Sequence, residues 1–404
     1  MADAVAGGWL MSALLSDQVN DVDLFSDEVL ADPYPVFAAL RDAGPAVRLS
    51  QLDMWFLGRY DIVKNALHDW ETFSSAQGVG ITAQFNDSMA SALICLDPPA
   101  HTEQRKLFTD RLSLRALRPI ADTIEERARE MVRELSARPR FDAVKDLAHD
   151  LPVNVIMDLI GWPVEVRDRL IPMAIAWFET IGPMNERSQN AWPTVAEMVA
   201  FVSQTAREGN LHEGSFGHHM LEAYHAGAIP FDAVVGLLVG YIVAAFDTTI
   251  NAMSSAMVLF ARHPDQWAAL QANPDLARNA FSEVLRFESP IQYFTRVTTR
   301  EVDLGDGIVL PVGARVLISY GSANRDERHF EHADRFDISR PVVDQLAFSY
   351  GRHACAGQSL ARLEGEAILN ALIAEAQELV LLDEPVLALN NAGRGYASVP
   401  MRLA

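Results

Sequence analysis

Phe348-Ser-Tyr-Gly351-Arg-His353-Ala-Cys355-Ala-Gly357 is the stretch that decides how this 404-residue chain is read. Leu360, Leu363, Ala367, Ile368, Ala371 and Leu372 follow it at helical spacing, so Cys355 stands at the mouth of a helix. There the free backbone N–H groups and the positive end of the helix dipole favour a thiolate. Gly351 and Gly357 let the backbone turn tightly and approach a flat ligand. A thiolate presented in this way can bind a metal or act as a nucleophile. The plainer reading is a buried structural Cys, and the spacing of Phe, two Gly and His around it speaks against that.

The pattern Phe-x-x-Gly-x-His-x-Cys-x-Gly resembles the haem-ligand loop of the cytochrome P450 superfamily, and the resemblance runs from about residue 30 to the C-terminus. It implies a mainly α fold with small β-sheets: one large helix-rich domain over residues 21–404, with a long central helix lying over the haem. It also implies haem b (iron protoporphyrin IX), with Cys355 as the axial thiolate ligand of the metal, donating electron density that favours O–O cleavage. By the same resemblance His353 reaches a haem propionate, and Phe348 shields the sulfur from water.

Composition sets bounds consistent with this. Length alone suggests two or three domains, but the 20 Pro and 23 Gly are spread along the chain and mark no linker. A hydrophobic share of 50% supplies a large core. Cys95 and Cys355 are the two cysteines; with one on iron no disulfide can form, as suits a reducing cytoplasm. Residues 1–20 are expected to be a loosely ordered start. The apolar stretch Ala4–Leu15 has no basic residue before it, the first being Arg41, so it does not read as an export signal. A net charge of −21 argues against nucleic acid as a partner. Arg105, Lys106, Arg111, Arg115 and Arg118, with Arg352 and Arg362, could still meet as a positive docking face or be ordinary solvated charge.

The longest apolar segment runs from about Phe231 to Arg262 and predicts a central buried helix. Its uninterrupted run Ala233–Phe246 is shorter than the ~20 residues a membrane span needs, so no membrane association is expected. Asp247, Thr248 and Thr249 intrude on it, and a buried carboxylate needs a reason. Ala244-Ala-Phe-Asp247-Thr248-Thr249 resembles the family's acid–alcohol pair, in which the Thr hydroxyl steadies dioxygen and water while the acid relays protons. Bonds from Asp247 and Thr248 to nearby carbonyls are the structural alternative. Ala245 stands where relatives often carry Gly.

Three further groups follow from the resemblance. Glu283 and Arg286, three apart on one helical face, match a buried pair completed by an Arg of a later meander, here Arg335, that supports the Cys loop. Asp97-Pro-Pro-Ala-His101-Thr-Glu-Gln-Arg105 opens a helix on which His101 and Arg105 match propionate-binding positions, as does Arg296. Val302–Ser319 alternates like strands broken by Gly-rich turns and predicts hairpins.

The reaction implied is a haem-thiolate monooxygenase: dioxygen, two electrons and two protons yield one oxygen atom inserted into a C–H bond and one water. The chain has no strand-linked G-x-G-x-x-G, so electrons are expected from a ferredoxin and its NAD(P)H-dependent reductase. Phe281–Gln292, Gly321–Asp326 and Ala361–Glu366 look like bacterial enzymes that O-demethylate 4-methoxybenzoate. Phe178, Ile181 and Phe294 fall where such enzymes line a flat slot for the ring, with Ala244 and Ser91 beside it; ordinary core packing is the alternative for each. Where those relatives hold the carboxylate with Arg and Ser, this chain has Ser88, Ser91, Val239 and Gly240. Residues 65–104 and 208–261 contain no Lys or Arg. The expected substrate is therefore a small neutral aromatic, a guaiacol or 4-alkylguaiacol. Hydroxylation of a benzoate, a terpene or another small apolar compound, a peroxide-driven enzyme, and a non-enzymatic haem-binding sensor are the alternatives.

Overall fold

The computed structural model describes residues 21–404; the expectation for residues 1–20 lies outside the described residues. Its axis is the helix Phe231–Arg262, which at ~1.5 Å per residue spans close to 50 Å. Apolar on nearly every face, it has to be covered on every side. The helices Asp150–Ile160, Arg167–Ile181, Glu186–Glu208 and Ala277–Glu288 supply much of that cover. The helix is long and apolar enough to cross a bilayer, yet 72% of its most apolar window is buried inside the protein. Burial within the fold, more than the polar interruption, is what makes it a core helix.

The helix that follows the Cys loop, Gln358–Glu375, packs against Leu114–Ser136 and Ala277–Glu288. The main sheet gathers β1 (Val47–Leu49), β2 (Met54–Leu57), β3 (Phe73–Ser74), β4 (Tyr293–Thr298) and β5 (Arg315–Ser319) in the order β1-β2-β5-β4-β3. β2 pairs with β5 in parallel and the other neighbours are antiparallel. The predicted Val302–Ser319 hairpins resolve into one small hairpin, Val302–Asp303 with Val309–Leu310, and then the sheet strand β5. A second hairpin, Val386–Leu389 with Arg394–Ser398, brings its turn against the central helix.

Glu283 and Arg286 are fully buried and joined twice, Arg286 Nε to Glu283 Oε2 at 2.7 Å and Nη2 to Oε1 at 2.8 Å. Arg286 Nη1 also donates to the carbonyls of Asn324 and Ala333. The third member differs from expectation. Arg335 is exposed and enters only through its carbonyl, which accepts from Arg286 Nη2 at 3.2 Å. The additional side chain at Glu283 is Arg340, its Nε 3.6 Å from Oε1. The reason is local: Arg340 donates to the carbonyls of Glu331 and His332, which aims it back across the meander.

Candidate active site

A cavity of about 600 Å³ lies between the central helix and the Cys loop. Cys355 is on its wall, with Phe348, His353, Ala356 and Gly357. The loop is closed by Cys355 N–H donating to Phe348 C=O at 2.8 Å. Gly351 turns it with φ +72°, and a Cβ there would stand 2.6 Å from the Leu67 carbonyl, so no other residue fits without displacement. The N–H groups of Gly357 and Gln358 and the Arg105 and Arg362 charges favour the thiolate. Burial outweighs them and raises the Cys355 thiol above its usual range. The helix mouth therefore only partly offsets burial at this sulfur; haem iron, when bound here, would hold it as the thiolate, since a metal deprotonates a coordinating thiol. Cys95 is buried and is not on this wall.

Arg105, Arg296 and His353 line the cavity, and His101, not itself on the wall, packs against His353. His101 and His353 have ring centroids 4.4 Å apart. Arg105 and Arg296 lie close enough that their charges push the His353 imidazole well below its ordinary range, after burial, the larger cause. His101 is lowered too, by burial first and then by Arg105 and Arg352. Both His101 ring nitrogens are buried without a protein partner. Arg105 donates to the Ala354 carbonyl at 2.5 Å and Arg296 to that of Thr295 at 2.8 Å. Asp97 is the carboxylate that acts on His101. Among the described residues neither Arg105 nor Arg296 is ion-paired to a carboxylate, so these buried donors and guanidinium charges fit a dianionic ligand edge, as the propionates of haem provide.

Across the cavity the central helix presents Ala244, Ala245, Thr248 and Thr249. The Thr248 hydroxyl donates to the Ala244 carbonyl at 2.7 Å. Asp247 faces away from the open space and is buried, its Oδ2 accepting from Asn251 Nδ2 at 3.2 Å. Burial pushes its carboxyl up to about 7, with the Glu179 charge adding to the rise and the Asn251 bond opposing it. Phe178, Phe294, Ser88, Ser91, Val239 and Gly240 all line the cavity. Ile181 does not: it is fully buried, and its carbonyl accepts from Ile81 N–H at 2.9 Å. The resemblance placed it on the wall, with core packing as the alternative; the helix ends there and Ile181 packs into the core. Sequence reasoning missed Asn251, though a polar residue four after a buried Asp on one helix was a readable signal. It also missed Glu364, a cavity-lining carboxyl with no partner on Oε1, pushed up to about 8 by burial.

The cytochrome P450 family model matches residues 42–210 and 169–377. The chain belongs to the cytochrome P450 family. Among its relatives, cytochrome P450 CYP199A2 of Rhodopseudomonas palustris is 38% identical, over 95% of this chain and 93% of that protein. A beta-dihydromenaquinone-9 omega-hydroxylase of Mycobacterium tuberculosis is 31% identical, over 94% and 77%. Among solved structures, cytochrome P450 CREJ in complex with (4-ethylphenyl) dihydrogen phosphate superposes with a TM-score of 0.85 at 26% identity, covering 96% of this chain and 100% of that one. The protein is thus a P450 monooxygenase carrying haem b with a cysteine thiolate as axial ligand, and it uses dioxygen and a redox partner.

Proposed function

We propose that Cys355 is the axial ligand, that His101, Arg105, Arg296 and His353 hold the propionates, and that the enzyme O-demethylates a neutral methoxyphenol of the guaiacol or 4-alkylguaiacol type. Haem b, when bound, supplies the activation of dioxygen that puts one oxygen atom into a substrate C–H bond. Phe178 and Phe294 offer flat apolar faces for a ring, and Ala244 leaves room beside Thr248 for the methoxy group. The Thr248 hydroxyl, anchored on the Ala244 carbonyl, orients water, and Asp247 holds the proton that this water passes on. Hydroxylation of an aryl O-methyl group yields a hemiacetal, which collapses to a phenol and formaldehyde.

One observation carries the substrate class: Arg105 and Arg296 are the only Lys or Arg residues among the described residues of the cavity wall, and both sit at the propionate end. A substrate carboxylate elsewhere in the cavity would be desolvated without a counter-charge, at a cost of several kcal/mol. The CREJ structure holds (4-ethylphenyl) dihydrogen phosphate, which supports a para-alkyl ring in such a cavity but carries an anionic group that the guaiacols lack. Titration of the purified enzyme with 4-alkylguaiacols and with 4-methoxybenzoate, read by the haem absorption change and followed by formaldehyde release with NADH and redox partners, tests this. The guaiacols should bind more tightly and release formaldehyde; tighter binding of 4-methoxybenzoate would contradict it. Electrons are proposed to come from a ferredoxin docking beside Arg352, Arg115 and Arg118, all exposed; of Arg111, the side chain lies outside the described residues.

A further inference from the structure

Glu179 follows the cavity residue Phe178 on the helix Arg167–Ile181, yet its carboxylate does not belong to the cavity wall. It is half-buried and held by the Asn391 N–H, which donates to Oε2 at 2.9 Å. Asn391 Nδ2 donates to the Glu179 carbonyl at 2.9 Å and to Asn185 Oδ1 at 3.0 Å, so donor and acceptor are fixed together. The same turn reaches Asp247. Asn390 Oδ1 accepts from the N–H groups of Ala392 and Gly393 at 2.9 and 2.8 Å, folding the turn back on itself. A Cβ on Gly393 would stand 3.1 Å from Asp247 Oδ2, so the absence of a side chain there is what lets the turn lie against that carboxyl. One four-residue turn therefore touches two acids from different helices.

We infer that Glu179, clamped by the Asn390–Gly393 turn, acts through Asp247 as a second carboxyl of the proton-delivery apparatus. It is a positioning residue for that acid, and the inference rests on the reading of Asp247 as the proton donor. The physical basis is coupling between two like-charged sites in a poorly solvated region. An ionised Glu179 disfavours ionisation of Asp247, so Asp247 keeps its proton until one is needed. Once Asp247 has released its proton inward and become a carboxylate, Glu179 gains proton affinity. A proton from solvent then restores Asp247, and the half-buried Glu179 carboxylate raises the affinity with which it is taken back. No electrons move; one proton enters for each one delivered.

The groups facing the pair fit this. Asp247 is acted on by the Glu179 charge and bonded to Asn251. Glu179 is raised by burial, opposed by the Asn391 N–H and by Arg187. Arg187 is itself engaged by Asp27 and the Phe25 carbonyl, so it cannot fully neutralise Glu179. Tyr293, buried and with its hydroxyl unpartnered, feels the Glu179 charge as well and stays neutral.

The test is Glu179→Gln in the holoenzyme, with Glu179→Asp and Asp247→Asn alongside. Gln keeps an acceptor for the Asn391 N–H and removes the charge. In E179Q the alkaline fall of product formed per dioxygen consumed should move to lower pH by roughly half a unit or more. The infrared carbonyl band of protonated Asp247, identified by its loss in D247N, should titrate lower by the same amount in resting enzyme; E179D should restore both. If E179Q does not take up haem, Glu179→Ala is read for the same shifts. An unchanged pH profile and unchanged band in a haem-loaded E179Q or E179A overturns the inference. If D247N itself leaves the pH profile unaltered, the reading of Asp247 falls first, and the two failures are thereby distinguished.

Discussion

At the scale of single residues, the site is a contest between burial and local polar support, and burial decides most of it. Asp247 shows this: one hydrogen bond from Asn251 is too little to keep a desolvated carboxylate ionised, and its carboxyl rises to about 7. An Asp that titrates at 3.8 when solvated and at about 7 when folded binds more protons in the folded state. Its contribution to stability is full below the solvated value and is lost as pH rises through the folded one. Asp247→Asn should therefore become progressively more stable than the parent between about pH 4 and pH 7 and hold a constant margin above that. Thermal unfolding across that range measures it, and a margin independent of pH would contradict the assignment. The acid–alcohol pair was legible in the sequence because a carboxyl interrupting an apolar helix demands an explanation. Of its partners, Asn251 was readable from helix spacing although no motif marks it, and Glu179 was not, because it comes from another helix.

At the scale of elements, the buried Glu283–Arg286 pair ties the helix Ala277–Glu288 to the meander that leads into the Cys loop. Neither partner is solvated, and Arg286 bonds also to the carbonyls of Asn324 and Ala333. Removal of Arg286 leaves Glu283 buried without its principal counter-charge, so Arg286→Ala should cost about 3–5 kcal/mol and abolish stable haem uptake. Denaturant unfolding and haem-to-protein ratio check this; a variant with full haem content and native stability would show the pair to be dispensable. Central helix, Cys-loop helix and the helix opened by Asp97-Pro-Pro were all readable from period and punctuation. The third charged partner was not. The family resemblance pointed to Arg335, whereas the direction of the meander delivers Arg340, and direction depends on carbonyls at Glu331 and His332 that no local pattern announces. Strand β4 was missed for a similar reason: Tyr293–Thr298 is buried on nearly every residue, so it lacks the alternation that marks a one-sided strand.

At the scale of the whole molecule, an acidic chain of net charge −21 exposes Arg115, Arg118 and Arg352, with Arg352 stacked 5.5 Å over Trp70 near the Cys loop. Docking of an acidic iron–sulfur protein on these cations should weaken as salt screens them. Turnover with a ferredoxin should fall several-fold between low and 0.5 M salt, and a flat salt profile would remove the electrostatic part of the proposal. The resemblance made fold and cofactor legible from one loop, because a thiolate, a turn and a flat ligand constrain sequence tightly. The proposed substrate class rests in the sequence only on an absence of cations, because the cavity that would select it is walled by six or more distant segments. The most direct measurement is the absorption spectrum of the reduced, carbon-monoxide-treated protein beside that of Cys355→Ser. The parent should show the red-shifted band of thiolate-ligated haem and the variant should lose it; a parent without that band, or a variant that keeps it, would contradict Cys355 as the axial ligand.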